Sequence, residues 1–234
     1  MRASFVPWLV VLAAAVPLSA QAGHGPVEAD PTMPVGGSGQ LPEGWALRFD
    51  PVLPSPGQPA PPVPSISDVS FTEMGAGLHA LTGPAAIYFR PVDVGGAAFT
   101  TRATFVQARS MGNEAYGLFI GGSDLQGPNQ SYLYFVVRPS DGGFLINHRT
   151  GDLALRTIVD WTVHGAVRKE TAEGSAGNQL AIEVSPDAVR FLANGVEVYA
   201  LAGAERGGVK THGIVGLRIN HNLDLQIAAF GIGP

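Results

Sequence analysis

The 234-residue sequence contains no cysteine, and few of its residues are charged. Without cysteine the chain has no disulfide framework, no thiolate metal site and no N-terminal cysteine for lipid attachment. Charged residues make up 14% of the chain, and the formal net charge is −5 at pH 7. No block of basic residues interrupts this mildly acidic composition. The charge pattern therefore argues against nucleic acid or an anionic membrane surface as a partner.

The sequence also lacks an apolar run long enough to cross a bilayer. The main apolar run, residues 5–16, follows Arg2 and precedes the small-residue tripeptide Ala20-Gln21-Ala22. This order is typical of a secretory signal peptide, and the run is too short for a membrane span. We therefore expect a signal peptide at residues 1–22, export to the periplasm or the extracellular medium, and no membrane insertion.

Glycine and proline are abundant, with 31 and 19 copies, and show no repeat. Such a composition favours many short strands joined by turns. Residues 23–43 are polar and rich in glycine and proline, which predicts a flexible leader. Residues 44–234 are predicted to form one β-sandwich domain. Prolines cluster at residues 51–64, and because proline cannot donate to a β-ladder, this segment is predicted to be a surface loop.

Apolar and polar residues alternate over much of the chain, and turn signals recur at about 8–12 residue intervals, as in a sandwich of antiparallel strands. The predicted strands are 44–50, 98–107, 116–121, 132–138, 143–149, 157–164, 179–184, 188–192, 196–201, 214–220 and 224–232. No segment predicts a convincing helix. Asn194-Gly195 is the strongest hairpin signal, because a two-residue primed turn requires positive φ at both positions.

Several of these segments resemble the concanavalin A-like lectin/glucanase superfamily. The resemblance lies in Val189–Gly195, Gly213–Arg218 and Leu225–Ile232, read with the segments around Tyr116 and Tyr132. It implies an all-β, two-sheet antiparallel jelly-roll sandwich. The opening Gly44-Trp45-Ala46-Leu47-Arg48-Phe49-Asp50 is similar to the start of the 3-keto-disaccharide hydrolase domain family, which implies binding of sugars or action on them.

Catalytic carboxylates are not evident in the strands. Retaining glycosidases need two carboxyl groups about 5 Å apart, and acids at alternate positions of one strand would supply them. The only acid-x-acid pair, Glu28-Ala29-Asp30, lies in the leader, and the Glu-x-Asp-x-x-Glu signature of family-16 glucanases is absent. Distant strands can still bring Asp124, Asp152 or Asp160 together. The catalytic residues, if any, are therefore unknown from sequence.

Polar and aromatic side chains fall at alternate positions of three predicted strands, so each set shares one face. If these strands are neighbours, tyrosine rings would stack on sugar while arginine and asparagine groups bind its hydroxyls. The candidate ligand-binding residues are Tyr132, Tyr134, Arg138, Asn147, Arg149, Arg218 and Asn220. The alternative is that these side chains only decorate the solvent side of a sheet.

No metal or cofactor is predicted. Asn220, Asn222 and Asp224 alternate near a turn and offer oxygen ligands for calcium, but one carboxylate supplies little charge. The alternative interpretation is a hairpin turn whose asparagines adopt left-handed angles. The histidines show no zinc-ligand spacing.

Three functional hypotheses follow. The first is an exported, non-catalytic carbohydrate-recognition domain with a saccharide or glycan as partner. The second is a saccharide hydrolase of the 3-keto-disaccharide type. The third is a structural envelope-interaction module without a small-molecule ligand. The sequence predicts no oligomeric state.

Overall fold

The computed structural model describes residues 39–51, 57, 62–110 and 112–234. The predicted signal peptide and most of the predicted leader lie outside the described residues. Most of the proline-rich loop, residues 52–56 and 58–61, also lies outside them. These three predictions are therefore untested by the structure.

The described residues form strands joined by turns, with two short 3-10 segments at Ile66–Asp68 and Gly203–Glu205. The strands are β1 (Ala46–Phe49), β2 (Val69–Met74), β3 (Gly77–Thr82), β4 (Ala86–Gly95), β5 (Phe99–Ser110), β6 (Tyr116–Ser123), β7 (Ser131–Arg138), β8 (Gly143–Thr150), β9 (Leu155–Val163), β10 (Ala176–Val184), β11 (Ala188–Ala193), β12 (Val196–Ala202), β13 (Gly213–Ile219) and β14 (Leu223–Gly233). No helix in this part of the chain has the length and apolar character needed to cross a membrane.

Seven strands form each of two antiparallel sheets within the described residues. Sheet 1 has the order β1-β4-β13-β6-β7-β8-β9, and sheet 2 has the order β12-β11-β10-β5-β14-β3-β2. Neighbours such as β4 and β13 are far apart in sequence, as in a jelly roll. The predicted all-β, two-sheet antiparallel jelly-roll sandwich is confirmed.

The core lies between the two sheets, because one face of each strand carries large apolar side chains. Leu118, Phe135 and Ile146 of sheet 1 belong to the same buried cluster as Phe105 and Leu180 of sheet 2. Burial of apolar surface is the dominant favourable term in folding and contributes about 25 cal/mol per Å². The two sheets are therefore held face to face mainly by this core.

Three strands, β2, β3 and β4, were not among the predicted ones. β2 contains neither glycine nor proline and begins with alternating buried residues, so its signal was present and was overlooked. Pro91 lies inside β4, where the pairing of β4 with β13 is interrupted between Phe89 and Val94. A residue without an N–H is tolerated there because no ladder bond requires it.

The predicted Asn194-Gly195 hairpin is confirmed. Asn194 has φ 52° and Gly195 has φ 80°, and Ala193 pairs with Val196 across the turn. Asn194 also anchors the turn by side-chain bonds, since its Nδ2 donates to the carbonyl oxygen of Ala166 at 2.8 Å. A local sequence signal therefore determined the turn and the register of the residues next to it, while an irregularity between Phe191 and Leu192 shifts the register of the rest of β11 and β12.

Candidate functional site

The candidate residues lie on the face of sheet 1 that points away from sheet 2, which we call the outer face. Successive side chains of a strand point to opposite faces. In β7, Leu133 and Phe135 therefore enter the core, while Tyr132 and Tyr134 lie on the outer face. In β8, Ile146 likewise enters the core. Asn147 and Arg149, one and three residues further along the strand, therefore lie on the outer face.

Two of the three strands that carry the candidate residues, β7 and β8, are neighbours, and the third, β13, lies one strand away from β7. Tyr132 is directly opposite Arg149, and Tyr134 is opposite Asn147, because β7 and β8 pair along their whole length. Arg218 of β13 is separated from β7 by β6 alone, and its guanidinium carbon lies 5.6 Å from the Tyr134 ring centroid. Three chain segments, from β7, β8 and β13, thus converge at one place on the outer face.

An aspartate that was not among the candidates completes this convergence. Asp50 directly follows β1, and its two carboxylate oxygens accept hydrogen bonds from Arg218 Nη1 at 2.7 Å and Nη2 at 2.6 Å. Arg149 Nη2 lies 3.7 Å from Asp50 Oδ2. We call Asp50, Tyr134, Asn147, Arg149 and Arg218 the Asp50 cluster.

A second ion pair borders the Asp50 cluster. Arg149 Nη1 donates to the main-chain oxygen of Asp152 at 2.6 Å. The Asp152 carboxylate accepts from Arg48 Nη2 at 2.5 Å and from Gln130 Nε2 at 2.8 Å. Arg48 also donates to the main-chain oxygen of Gly127 at 2.7 Å. Arg48, Asp152 and Gln130 therefore extend the polar network from β1 to the loop after β8.

Several polar atoms in the Asp50 cluster lack a hydrogen-bond partner among the described residues. Asn147 Nδ2 donates to the Tyr134 hydroxyl at 3.0 Å, but Asn147 Oδ1 accepts no hydrogen bond. Arg149 Nε and Arg218 Nε are likewise buried without an acceptor. Buried polar atoms are rarely left unsatisfied, because each costs about 1–3 kcal/mol. A polar ligand that reached these buried atoms would satisfy them.

The expectation that the tyrosines form exposed stacking platforms is wrong. Tyr132 and Tyr134 are 1% and 6% exposed, and they belong to an apolar cluster on the outer face that includes Phe119 and Leu125. Leu125 comes from the loop between β6 and β7. The aromatic rings are covered because this face buries large apolar side chains on β4, β6, β7 and β8 as well as polar ones. The most exposed polar groups here are the carboxylates, with the Asp50 side chain 28% exposed.

Two predicted residues lie apart from the Asp50 cluster. Arg138 is four residues beyond Tyr134, about 13 Å along the strand; it pairs with Asp141, and its guanidinium carbon lies 4.0 Å from the Trp161 ring centroid. Asn220 lies one residue beyond the end of β13, and its main-chain N–H donates to the Ala115 oxygen at 3.0 Å. The predicted strand 214–220 was therefore one residue too long at this end.

The turn that suggested calcium is built differently from a metal site. Asn222 has φ 50°, the left-handed conformation that asparagine tolerates in turns. Asp224 lies in β14 on sheet 2, where its Oδ1 is 2.8 Å from His79 Nε2. Among the described residues no group of three or more histidine or acidic side chains is arranged to hold a metal.

The electrostatics of Asp50 follow from its two arginine neighbours. Burial raises the pKa of Asp50, but Arg218, and then Arg149, favour the carboxylate and together hold the pKa below its ordinary value. Burial alone dominates at Tyr132 and raises the pKa of its hydroxyl. At neutral pH the Asp50 cluster therefore holds an ionised carboxylate between two guanidinium groups.

The alternation of apolar and polar residues in the first strand was a signal that could have identified Arg48 and Asp50, which the sequence analysis missed. Trp45, Leu47 and Phe49 pack against the core, so Arg48 and Asp50 must point to the other side. Asp50 on this face is a counterion for an arginine of another strand, and Arg48 is a counterion for a carboxylate. Which partners they meet depends on strand order, and the sequence does not contain that information locally.

The two-sheet antiparallel jelly roll of this chain is similar in fold to several solved structures. A carbohydrate binding module of family 66 from Bacillus subtilis is 12% identical, with a TM-score of 0.56 over 82% of this chain and 96% of that one. The potassium-bound carbohydrate recognition domain of Emp46p is 10% identical, with a TM-score of 0.52 over 81% of this chain and 88% of that one.

A glycoside hydrolase of family 16 is similar as well. This enzyme of Bacteroides ovatus, in complex with a mixed-linkage glucan product, is 8% identical, with a TM-score of 0.50 over 79% of this chain and 92% of that one. No protein-family model matches the sequence, and no curated protein matches it. At these identities the similarity establishes the fold, while function must be argued from the site.

Proposed function

We propose that the protein is a carbohydrate-recognition domain that binds a saccharide at the Asp50 cluster on the outer face of sheet 1. The observation that carries the proposal is the convergence of Asp50, which follows β1, with Asn147 and Arg149 of β8 and Arg218 of β13. Polar atoms of the last three residues are unpartnered. Convergent polar groups beside apolar and aromatic side chains are typical of small-molecule sites. Saccharides present hydroxyl groups that match both the acceptors and the donors of this cluster.

The fold supports the same proposal. Two of the similar structures are described as a carbohydrate binding module and a carbohydrate recognition domain. A shared jelly roll does not transfer a ligand by itself. It makes a saccharide the first ligand class to test on this chain.

Recognition is favoured over acid catalysis by the charge state of Asp50. A general acid in glycoside hydrolysis needs a carboxyl group whose pKa is raised, so that it holds a proton at working pH. Arg218 and Arg149 lower the pKa of Asp50 instead. Asp50 is therefore suited to accepting hydrogen bonds from sugar hydroxyls and unsuited to donating a proton.

The test is a glycan array combined with thermal unfolding of the purified protein in the presence of each glycan that it retains. Arg149→Ala is the informative variant, because the 3.7 Å ion pair of Arg149 with Asp50 is longer than hydrogen-bond distance, and the two short bonds between Asp50 and Arg218 remain after its loss. Arg190→Ala is the matched control, since Arg190 lies on sheet 2 and is 59% exposed.

We expect at least one glycan to bind and to raise the unfolding temperature. Arg149→Ala should weaken that binding about tenfold or more, because hydrogen bonds to a charged group contribute about 1.5–3 kcal/mol. Arg190→Ala should bind as the unsubstituted protein does. A flat response to all glycans, or equal binding by Arg149→Ala, would contradict the proposal.

A hydrolase of the 3-keto-disaccharide type is the second candidate. The observation that favours it is that two partly exposed carboxylates, Asp50 and Asp152, belong to residues that both contact Arg149. Incubation with a 3-keto-disaccharide, followed by chromatography of the products, tests this candidate. Turnover that is lost in both Asp50→Asn and Asp152→Asn would replace recognition by hydrolysis, whereas an unchanged substrate at high protein concentration would eliminate the hydrolase.

A further inference from the structure

Arg149 is a buried cation without a carboxylate of its own. Its side chain is only 7% exposed. The nearest carboxylate, that of Asp50, already makes two short hydrogen bonds to Arg218 and lies 3.7 Å from Arg149 Nη2, beyond hydrogen-bond distance. The remaining partner of Arg149 is a neutral main-chain oxygen. Burying a charge without a hydrogen-bonded counterion is costly, so this position favours an additional anion.

The same bonds leave one edge of the buried Arg149 guanidinium without a hydrogen-bond acceptor among the described residues. Nη1 is used by the Asp152 oxygen, Nε has no acceptor, and Nη2 has none within hydrogen-bond distance among the described residues. Nε and Nη2 together form the side of the guanidinium that can donate two parallel bonds. A carboxylate fits this fork with both oxygens, which makes the pair stronger and more directional than a contact with one hydroxyl.

The balance of charges around Arg149 also favours binding of an anion. The polar network contains three guanidinium groups, those of Arg48, Arg149 and Arg218, and two carboxylates, those of Asp50 and Asp152. One positive charge is therefore in excess at this place, on a protein whose net charge is −5. A bound monoanion would balance the network.

We propose that the ligand is an acidic saccharide, and that the carboxylate of a uronic acid unit binds the Nε and Nη2 edge of Arg149. This inference rests on the proposed function and specifies its ligand class. Asn147 Oδ1, the unpartnered acceptor nearest in sequence, accepts a hydroxyl hydrogen of the same sugar. Asp50 stays paired with Arg218 and orients the site without contacting the ligand carboxylate.

The experiment compares oligosaccharides of galacturonate, glucuronate, mannuronate and guluronate, each with its own carboxyl-reduced neutral counterpart. Affinities are measured by calorimetry on the unsubstituted protein and on three variants. Arg149→Met removes the charge and keeps an unbranched side chain as far as the position of Nε. Arg149→Lys keeps the charge and removes the fork, and Arg190→Met is the control on the other sheet. Circular dichroism and thermal unfolding establish that each variant is folded.

At least one acidic oligosaccharide should bind about tenfold or more tightly than its neutral counterpart, since one charge-assisted pair is involved. That preference should disappear in Arg149→Met, fall strongly in Arg149→Lys and persist in Arg190→Met. Added salt should reduce it, because screening weakens interactions between charges.

Neutral counterparts that bind as tightly as the acidic ones would overturn the acidic-ligand inference and leave carbohydrate recognition standing. Binding of sulfated glycans with the same dependence on Arg149, and no binding of uronates, would also overturn the carboxylate assignment. No binding by any acidic or neutral saccharide would overturn the proposed function and this inference with it.

Discussion

Arg218 and Asp50 form a two-pronged ion pair that joins positions 168 residues apart in the chain. Arg218 belongs to β13, and Asp50 follows β1, which lies at the edge of sheet 1 with β4 between them. The pair therefore crosses the outer face of β4 and fixes the end of the edge strand. It also holds Asp50 beside Arg149, so the same contact contributes to stability and to the geometry of the candidate site.

Removing Arg218 should destabilise the protein. Arg218→Met leaves Asp50 partly buried without its main partner, and we expect the free energy of unfolding to fall by roughly 2–4 kcal/mol, below the loss for fully buried pairs because Asp50 keeps some exposure. Urea denaturation followed by circular dichroism measures the change.

A double-mutant cycle with Asp50→Asn isolates the pair. The double variant should be less destabilised than the sum of the two single variants, by about 1–3 kcal/mol, because the second substitution removes an interaction that is already lost. Additive effects of the two substitutions would show that the pair makes no net contribution.

The stability should depend on pH through Asp50. Its pKa is lowered in the folded protein from an ordinary value of 3.8, so the stabilisation is fully present above that value and is lost as the pH falls through the lower folded-state pKa. In urea denaturation between pH 7 and pH 2, the stability difference between the unsubstituted protein and Asp50→Asn should stay constant down to about pH 5 and shrink below about pH 4.

Asp141 also has a lowered pKa in the folded protein, so it provides a comparison for the pH dependence assigned to Asp50. Hydrogen bonds from Arg138 lower the pKa of Asp141, so Asp141→Asn should remove a separate part of the acid sensitivity and leave that of Asp50. If the difference in free energy of unfolding between the unsubstituted protein and Asp50→Asn grew as the pH fell, the lowered pKa of Asp50 would be contradicted.

Gly216 should not tolerate a side chain. A Cβ atom there would lie 2.5 Å from Phe119 Cε1 and closer still to the main-chain oxygen of Tyr88. We expect Gly216→Ala to lower the free energy of unfolding by about 1–3 kcal/mol, the usual cost of overpacking. Gly177→Ala in β10 is the matched control, because a Cβ there meets nothing within 4 Å; equal unfolding temperatures for the two variants would refute the prediction.

The stability that the β11–β12 turn contributes should depend on which residue is at position 194. Asn194 has positive φ and makes side-chain bonds to Ala166, Asn178 and Gln179. Asn194→Gly and Asn194→Ala both lose these bonds, but only alanine is strained by the backbone angle. Thermal unfolding should therefore find Asn194→Ala about 1 kcal/mol less stable than Asn194→Gly, and no difference between them would exclude strain at this position.

Local patterns in the sequence were sufficient for the fold class and for the faces of several strands. Alternation predicted that Asn147 shares a strand face with Arg149, and Gly216 with Arg218, because successive side chains of a strand point to opposite faces. The Asn194-Gly195 turn was equally local, since it requires only positive φ at two adjacent residues. The same kind of pattern was overlooked in β2, which contains neither glycine nor proline, whereas Pro91 interrupts it in β4.

The composition of the candidate site was decided by the tertiary structure. The sequence by itself determined that Arg218 and Asp50 each point out of a strand, but only the order β1-β4-β13 brought them together. Tyr132 was expected to be exposed, and its burial follows from packing against side chains of other strands and of the β6–β7 loop. Pairing between distant segments and burial by remote side chains depend on the whole assembled sandwich, so a local sequence pattern does not encode them.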